Sequence, residues 1–178
     1  DVIEPFQAVI SDPESRELAW VPVDAVDSYP LHPGFAASWP LLRSLLQVHP
    51  VVVVDAANVV GSVPDGWWKD RAGATARLLE RLRVRAVRGM DAGRLDLRAD
   101  VWFPEVRVVV EGQARAVEEV PGVAVVRADA EGDDAIVAEV AALTAAGRRV
   151  VVVTSDRELR ARVGALGAAA HGPSWLDL

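Results

Sequence analysis

Apolar residues in this chain fall into valine-rich runs that alternate with longer segments of helical periodicity. Four consecutive valines lead directly onto Asp55, and short runs of β-branched residues bounded by polar residues are typical of strands buried on both faces of a parallel sheet. Strands are predicted at 51–54, 83–88, 106–112, 123–129 and 148–156, and helices at 70–82, 133–146 and 157–165. This alternation predicts an α/β fold with three layers, α/β/α, around a mainly parallel, Rossmann-like central sheet.

The first 49 residues differ from the remainder in amino-acid composition and in predicted secondary structure. They contain six of the eleven prolines and two of the six tryptophans, and they predict a strand, a turn-rich passage and one helix near 35–47. So few elements do not bury a core of their own. The sequence therefore predicts two parts, 1–49 and 50–178, and only the second is expected to form a domain.

The amino-acid composition limits which metal ligands and which catalytic nucleophiles this chain can use. The absence of cysteine excludes disulfides, thiolate zinc sites and a cysteine nucleophile, and three scattered histidines argue against a histidine-rich metal site, so any metal must be held by oxygen. No apolar run approaches the roughly 18 residues of a membrane span, and the amino end lacks a signal-peptide pattern. We expect a cytoplasmic protein that makes no membrane contact, and a homo-oligomer is compatible with the sequence.

Acidic residues stand at three of the predicted strand ends. Asp55 and Asn58 follow the first strand, "EGDD" (131–134) opens the helix after the fourth, and "TSD" (154–156) follows the last valine run. The carboxyl ends of parallel strands share one edge of a sheet, where open α/β folds bind their ligands. Grouped carboxylates repel one another unless a cation neutralises them, and Mg²⁺ or Mn²⁺ accepts oxygen ligands. The pattern predicts a divalent-metal site at this edge.

Each of these residues also has a purely structural explanation. An aspartate at a strand end is commonly a helix cap, Asp133 and Asp134 could serve the positive end of a helix dipole, and Ser155 and Asp156 could cap the last helix. Three such places converging on one edge favour a site, because convergent polar groups in a cleft mark ligand binding.

Three motifs carry a resemblance to a known family. "VVVVDAANVVGS", "EGDDAIVAEVA" and "VVVVTSDRELR" occur in the order and spacing seen in the NYN branch of the PIN-like nucleases, and 50–178 resembles its YacP-like group in particular. One departure is Ala56-Ala57, where relatives commonly have Gly-Tyr, so no aromatic side chain stands there to stack on a base. Trp67 and Trp68 are candidates to replace it.

The resemblance implies a PIN-like fold and a ribonuclease dependent on Mg²⁺ or Mn²⁺, with a metal-activated water as the attacking group. It implies that Asp55, Asp156 and either Asp133 or Asp134 are metal ligands, supported by Glu131 and Asn58. On this basis the predicted catalytic residues are Asp55, Asp133, Asp134 and Asp156, the predicted metal ligands are Asp55, Glu131, Asp134 and Asp156, and the predicted substrate-binding residues are Asn58, Trp68, Lys69, Arg71 and Ser155.

Positive charge is concentrated in one stretch of a chain whose net charge is −7. Between Arg71 and Arg98 there are eight arginines and three acidic residues, and Arg71, Arg77 and Arg81 fall near one helical face. This face could be a phosphate track leading from Lys69 and Arg71 to the acidic site, with RNA as the partner, or a solvated helix face. For the two adjacent tryptophans, packing or a lid is favoured over base stacking.

The segment "DPESRELAWVPVDAVDSYPLHPGFAASWPLLRSL" resembles the carboxyl-terminal end of Nudix hydrolase domains. The glutamate-rich Nudix box is absent, so Glu14, Glu17 and His32 are predicted to be structural remnants, downstream of a Nudix domain in a longer parent chain. Two alternatives to the nuclease therefore stay open: an RNA- or ribosome-binding module with a degenerate site, or an accessory domain of a Nudix nucleoside-triphosphate pyrophosphohydrolase. The absence of G-x-G-x-x-G after the first strand argues against dinucleotide binding.

Overall fold

A computed structural model of the chain describes residues 6–63 and 66–178. The chain divides into two compact units, Asp1–Leu46 and Gln47–Leu178. The predicted division after residue 49 stays a prediction, and the first five residues of that predicted segment, Pro5 among them, lie outside the described ones.

The regular elements of the described residues alternate along the second unit. The strands are β1 Pro50–Asp55, β2 Met90–Asp91, β3 Val101–Trp102, β4 Glu105–Val110, β5 Val123–Arg127, β6 Arg149–Val153 and β7 Ala169–His171. The helices are α1 Pro33–Leu46 in the first unit and α2 Ala56–Gly61, α3 Arg71–Arg88, α4 Gly132–Ala145 and α5 Arg157–Ala165 in the second.

The central sheet has five strands in the order β5-β4-β1-β6-β7, and every neighbouring pair is parallel. The valines of β1 alternate between two cores. Val52 and Val54 pack with residues of α2 and α3 on one face, whereas Val51 and Val53 pack with residues of α4 and α5 on the other. All four valines are fully buried, because helices cover both faces of the sheet. The predicted three-layer α/β/α fold is confirmed, and it is consistent with a PIN-like fold.

The predicted strand at 83–88 is wrong, since α3 runs unbroken to Arg88. The alternation of arginine with small apolar residues there imitates the period of a strand. Leu82 is fully buried and Ala86 packs against the same core, so the i, i+4 spacing of a helix continues through this stretch. Gly89, with φ of 77°, then ends the helix in a conformation that favours glycine.

Short elements escaped prediction. The six-residue helix α2 begins directly after Asp55, the two-residue strands β2 and β3 pair antiparallel, and β7 lies in what the pattern predicted as a tail. The strand predicted near Trp20 is absent from the described part of the first unit. That unit contains instead a 3₁₀ helix at Val23–Ser28 and the predicted helix, α1.

In the described residues no helix is long and apolar enough to cross a membrane.

Candidate active site

Asp55 is the last residue of β1, in the middle of the sheet, and only 8% of its surface is exposed. One carboxylate oxygen accepts a hydrogen bond from the backbone N–H of Asn58 at 3.0 Å, which caps helix α2. The other oxygen accepts one from the hydroxyl of Thr154 at 2.9 Å. The buried valine run thus delivers a carboxylate to the edge of the sheet, and two donors fix its orientation.

The end of β6 lies beside the end of β1 and is joined to it by side chains. The amide oxygen of Asn58 accepts hydrogen bonds from the backbone N–H and the hydroxyl of Ser155, at 2.9 and 2.7 Å. The hydroxyl of Thr154 accepts from the N–H of Asp156 at 3.1 Å, and Asp156 caps helix α5 through the N–H of Leu159. Asp55 and Asp156, a hundred residues apart in sequence, are therefore held at one place.

Two further carboxylates join this edge. Glu111 directly follows β4, and its carboxylate accepts a hydrogen bond from the N–H of Gly132 at 2.7 Å, where helix α4 begins. Asp133 follows in the first turn of α4. A cavity of about 190 Å³ is lined by all four carboxylates, with Asn58 beside them. The capping explanation is correct for Asp55 and Asp156, and both caps also line this cavity.

The four carboxylates interact electrostatically. Burial raises the pKa of Asp55 above its ordinary value, the charges of Glu111 and Asp156 raise it further, and the donors Asn58 and Thr154 oppose the shift. Burial also raises the pKa of Asp133, together with the charges of Asp55, Asp156 and Glu111, while Arg162 opposes. Crowded, partly desolvated carboxylates of this kind attract a cation or retain a proton.

Two of the four predicted metal ligands lie outside the cavity. The carboxylate of Asp134 accepts a hydrogen bond from Arg162 at 2.5 Å, so its charge is directed to helix α5. Glu131 occupies the position before α4 and is exposed, and its side chain makes no capping hydrogen bond. Of the adjacent aspartates in "EGDD", Asp133 is the one that lines the cavity, because successive residues of a helix point about 100° apart.

The predicted substrate-binding residues fall into two groups. Asn58 and Ser155 bind each other at the mouth of the cavity. Arg71 lies over the ring of Trp67, with its guanidinium carbon 5.2 Å from the ring centroid, and both residues line a small cavity of about 100 Å³ that also contains Glu111. Trp68 packs edge to face against Trp67 and is 60% exposed. Lys69 is exposed in the same turn and lines neither cavity.

Sequence analysis did not select Glu111 or Thr154 as site residues. Glu111 comes directly after a valine run, "VRVVVE", as Asp55 does after its own, and that likeness was the available signal. Thr154 is fully buried, and its role became visible only through its contact with Asp55.

Gly132 controls the position of Glu111. A Cβ atom at residue 132 would lie 2.8 Å from the carboxylate oxygen of Glu111, so Gly132→Ala is expected to push that side chain away and break its hydrogen bond. The lost bond costs about 1 kcal/mol of unfolding free energy. Gly164→Ala in helix α5 is the matched control, since its Cβ meets no atom within 4 Å, and we expect it to stabilise by about 0.5–1 kcal/mol. Urea unfolding of both variants measures these changes in the free energy of unfolding. Equal changes of the same sign in the two variants would contradict the assigned role of Gly132.

The donor set fits an oxygen-preferring divalent ion. In the part of the chain that the structure describes, no three His, Asp or Glu side chains are arranged to hold a metal ion by themselves. Mg²⁺ commonly retains several waters and binds through only one or two carboxylates, and each carboxylate oxygen here has a second lone pair beyond the one that its hydrogen bond uses. Ligation by one or two of the four acids, completed by water, is the mode that this cavity fits.

Comparisons with known proteins give a partial picture. No known protein-family profile matches the sequence. A stretch of 42 residues is 50% identical to the Mycobacterium tuberculosis protein described as "Putative 8-oxo-dGTP diphosphatase 3", in each of two strains. That match covers 24% of this chain and 19% of the relative, so the chain spans about a fifth of the length of the curated proteins it matches.

The structural comparison covers much more of the chain. A crystal structure of Rae1 (YacP) from Bacillus subtilis superposes with a TM-score of 0.50, covering 71% of this chain and 72% of that one, at 20% sequence identity. At this identity the likeness establishes shared architecture. The chain therefore has the α/β fold of Rae1 (YacP), with four carboxylates gathered at the carboxyl edge of its sheet.

Proposed function

We propose that residues 50–178 form a divalent-metal-dependent ribonuclease that hydrolyses phosphodiester bonds of RNA. The observation that carries the proposal is the cavity at the sheet edge, where Asp55, Glu111, Asp133 and Asp156 converge from four separate segments. The motifs that resemble NYN nucleases contribute three of these residues, and the fold shared with Rae1 (YacP) agrees with that resemblance.

Each side chain has a distinct role in this proposal. Asp55 and Asp156 hold Mg²⁺ or Mn²⁺, and their caps at α2 and α5 fix the carboxylates in place. Asp133, in place of Asp134, contributes a carboxylate from α4 that binds a water of the ion's shell. Glu111 braces the start of α4 through the N–H of Gly132, so that it positions Asp133. An ion held by these carboxylates would supply Lewis-acid chemistry to the phosphodiester and to the attacking water.

RNA is the proposed substrate class. A phosphodiester brings negative charge to an acidic cavity, so the ion must neutralise the carboxylates and further cations must hold the strand. Helix α3 carries six arginines and one glutamate. Arg71, at its start, lines the small cavity that shares Glu111 and Ala57 with the acidic one.

The proposal is tested by cleavage of a labelled single-stranded RNA. We expect wild-type protein to cleave it with Mn²⁺ or Mg²⁺ and to stop when EDTA is added. RNA binding without cleavage under either metal would contradict the proposal and support the alternative of a binding module with a degenerate site.

Metal binding has a readout besides activity. The raised pKa values of Asp55 and Asp133 mean that their contribution to stability is present below pH 3.8 and is lost as the pH rises through the folded-state values. A bound divalent ion should reverse this loss at pH 7. It should raise the free energy of unfolding by about 2.7 kcal/mol when the concentration of free ion is a hundred times Kd. We expect Mn²⁺ to raise Tm at pH 7 and not below pH 3.8, with KCl of equal ionic strength as the control. An equal rise at both pH values would contradict metal binding by these carboxylates.

A second proposal concerns the first unit. We infer that this chain belongs to a longer parent protein with a Nudix domain upstream, because a 42-residue stretch is 50% identical to part of the 8-oxo-dGTP diphosphatase relative. The described part of this unit exposes large apolar side chains, including Phe6 at 62% and Trp20 at 58%, as expected of a fragment whose neighbouring surface belongs to more chain. We expect the longer gene product to hydrolyse nucleoside triphosphates to pyrophosphate, and we expect residues 1–178 alone not to do so.

A further inference from the structure

We propose that a groove along helix α3 is a binding site for the backbone of single-stranded RNA and that it leads into the acidic cavity. The inference rests on the proposed ribonuclease function for the identity of the strand. The groove has a volume of about 840 Å³ and lies between α3 and the segment around Ser174. It is more than four times as large as the acidic cavity of about 190 Å³, so it offers space for part of a strand outside the catalytic position.

The groove and the acidic cavity adjoin at one pair of residues. Ser155 lines the groove, Asn58 lines the cavity, and the amide oxygen of Asn58 accepts hydrogen bonds from both the N–H and the hydroxyl of Ser155. The groove and the cavity therefore adjoin beside Asp156, the residue after Ser155, which lines the cavity.

Positive charge follows the groove at regular intervals. Arg77 and Arg81 line it, and a neighbouring depression of about 220 Å³ shares Arg81 and adds Arg85 and Arg88. Arg77, Arg81 and Arg85 are four residues apart in sequence, so their Cα atoms rise by about 6 Å per step along the helix axis. Such a row of planar, multidentate cations is suited to consecutive phosphates of one extended strand.

Negative charge in the groove is neutralised locally. Asp177 lines both the groove and the depression, and its carboxylate lies 3.4 Å from Arg85 and 3.3 Å from Arg94. Glu80, the acidic residue of α3, pairs with Arg83 at 2.8 Å, and neither of these two residues lines the groove. Because Asp177 is paired with Arg85 and Arg94, its charge does not oppose a strand in the groove, and Arg81 and Arg88 are the cations that the proposal assigns to phosphate groups.

The floor of the groove favours an unpaired strand over a duplex. Val59, Val63, Leu78 and Pro173 line it beside the arginines. Sites for single-stranded nucleic acid combine a positively charged track with apolar surface that the exposed bases contact. A duplex turns its bases inward and presents only sugar, phosphate and a shallow groove, so it gains nothing from these apolar side chains.

Binding is measured with a fluorescent oligouridylate of about 12 nucleotides, within the site sizes known for single-strand grooves, in EDTA so that cleavage does not occur. We expect the double variant Arg81→Glu/Arg88→Glu to weaken binding by about tenfold or more, because it removes two phosphate contacts and adds repulsion. Arg83→Glu is the matched control on the same helix, outside the groove, and should change affinity less than about twofold. Replacing Arg81 and Arg88 with alanine should reduce the slope of log affinity against log salt by about 1.4.

Two results would overturn the proposal. One is an equal loss of affinity in Arg83→Glu and in either single variant, Arg81→Glu or Arg88→Glu, which would reveal a response to net charge alone. The other is equal affinity for an RNA duplex of the same length.

Failure of the groove is distinguishable from failure of the nuclease. Hydrolysis of bis(p-nitrophenyl) phosphate with Mn²⁺ needs the acidic cavity and not the groove, so the double variant should retain it while cleaving long RNA poorly. Hydrolysis retained together with unchanged RNA cleavage would overturn the groove and leave the nuclease. Wild-type protein that binds RNA through Arg81 and Arg88 and hydrolyses neither compound would support the groove and overturn the nuclease.

Discussion

Asp156→Asn is expected to lower kcat for RNA cleavage by about a hundredfold or more, because it removes a charged ligand whose contribution to a metal-assisted reaction is several kcal/mol. The substitution is nearly isosteric. Asparagine is as good a helix cap as aspartate, so the hydrogen bond to the N–H of Leu159 and the start of α5 are preserved. The loss should therefore appear in kcat and in metal affinity, with unfolding little changed.

The matched control is Asp134→Asn, which makes the same chemical change outside the cavity. Asp134 accepts a hydrogen bond from Arg162, and both partners are substantially exposed, so we expect cleavage within about twofold of wild type. Asp133→Asn, one residue earlier, should resemble Asp156→Asn. Steady-state kinetics over a Mn²⁺ titration compares the three variants. Activity lost in Asp134→Asn and kept in Asp133→Asn would reverse the assignment of the two aspartates.

The buried elements of this fold were predictable because one physical signal determines them. A run of valines is favoured where helices cover both faces of a sheet, and that preference placed β1, β4 and β6 in a parallel sheet. Parallel strands bring their carboxyl ends to one edge, so the convergence of Asp55 with Asp156 followed from topology before any contact was known.

The orientation of side chains within the site was beyond the reach of the pattern. Two adjacent aspartates begin α4, and the helix turns one toward the cavity and the other toward Arg162. Choosing between Asp133 and Asp134 requires the rotation of α4 about its axis, which packing of Ile136 and Val140 against the sheet determines. The short helix α2 was not predicted because it is only six residues long and depends more on the N-cap at Asp55 than on a helical pattern of apolar residues.

Alternation of arginine with apolar residues led to the wrong prediction of a strand where the structure has a helix. In "RLRVRAVR" arginine recurs at nearly every second residue, as on the exposed face of a strand, although the apolar residues that face the core keep helical spacing. Correcting this element changes its functional meaning, because Arg83, Arg85 and Arg88 then lie on the same helix as Arg71, Arg77 and Arg81. One continuous helix replaces the predicted helix at 70–82 and the predicted strand at 83–88.

Asp55→Asn is expected to abolish cleavage and at the same time to stabilise the protein at pH 7. Burial and the charges of Glu111 and Asp156 raise the pKa of Asp55, so ionisation of this carboxyl at neutral pH destabilises the folded protein in the absence of metal. Asparagine removes that charge. Its amide oxygen can still accept from the N–H of Asn58, and its amide nitrogen can donate to the hydroxyl of Thr154.

Asp55→Ala separates the charge from the hydrogen bonds. It also removes the charge, but it leaves the N–H of Asn58 and the buried hydroxyl of Thr154 without their acceptor, so we expect it to be less stable than Asp55→Asn by about 1–3 kcal/mol. The gain in Asp55→Asn should vanish below pH 3.8, where the carboxyl is protonated in both folded and unfolded chains. Urea unfolding in EDTA at pH 7 and pH 3, together with kcat, tests both statements. A lower free energy of unfolding for Asp55→Asn than for wild type at pH 7 would mean that the Asp55 carboxylate stabilises the folded protein even without a metal. The four carboxylates would then not repel one another enough for a bound cation to stabilise the protein.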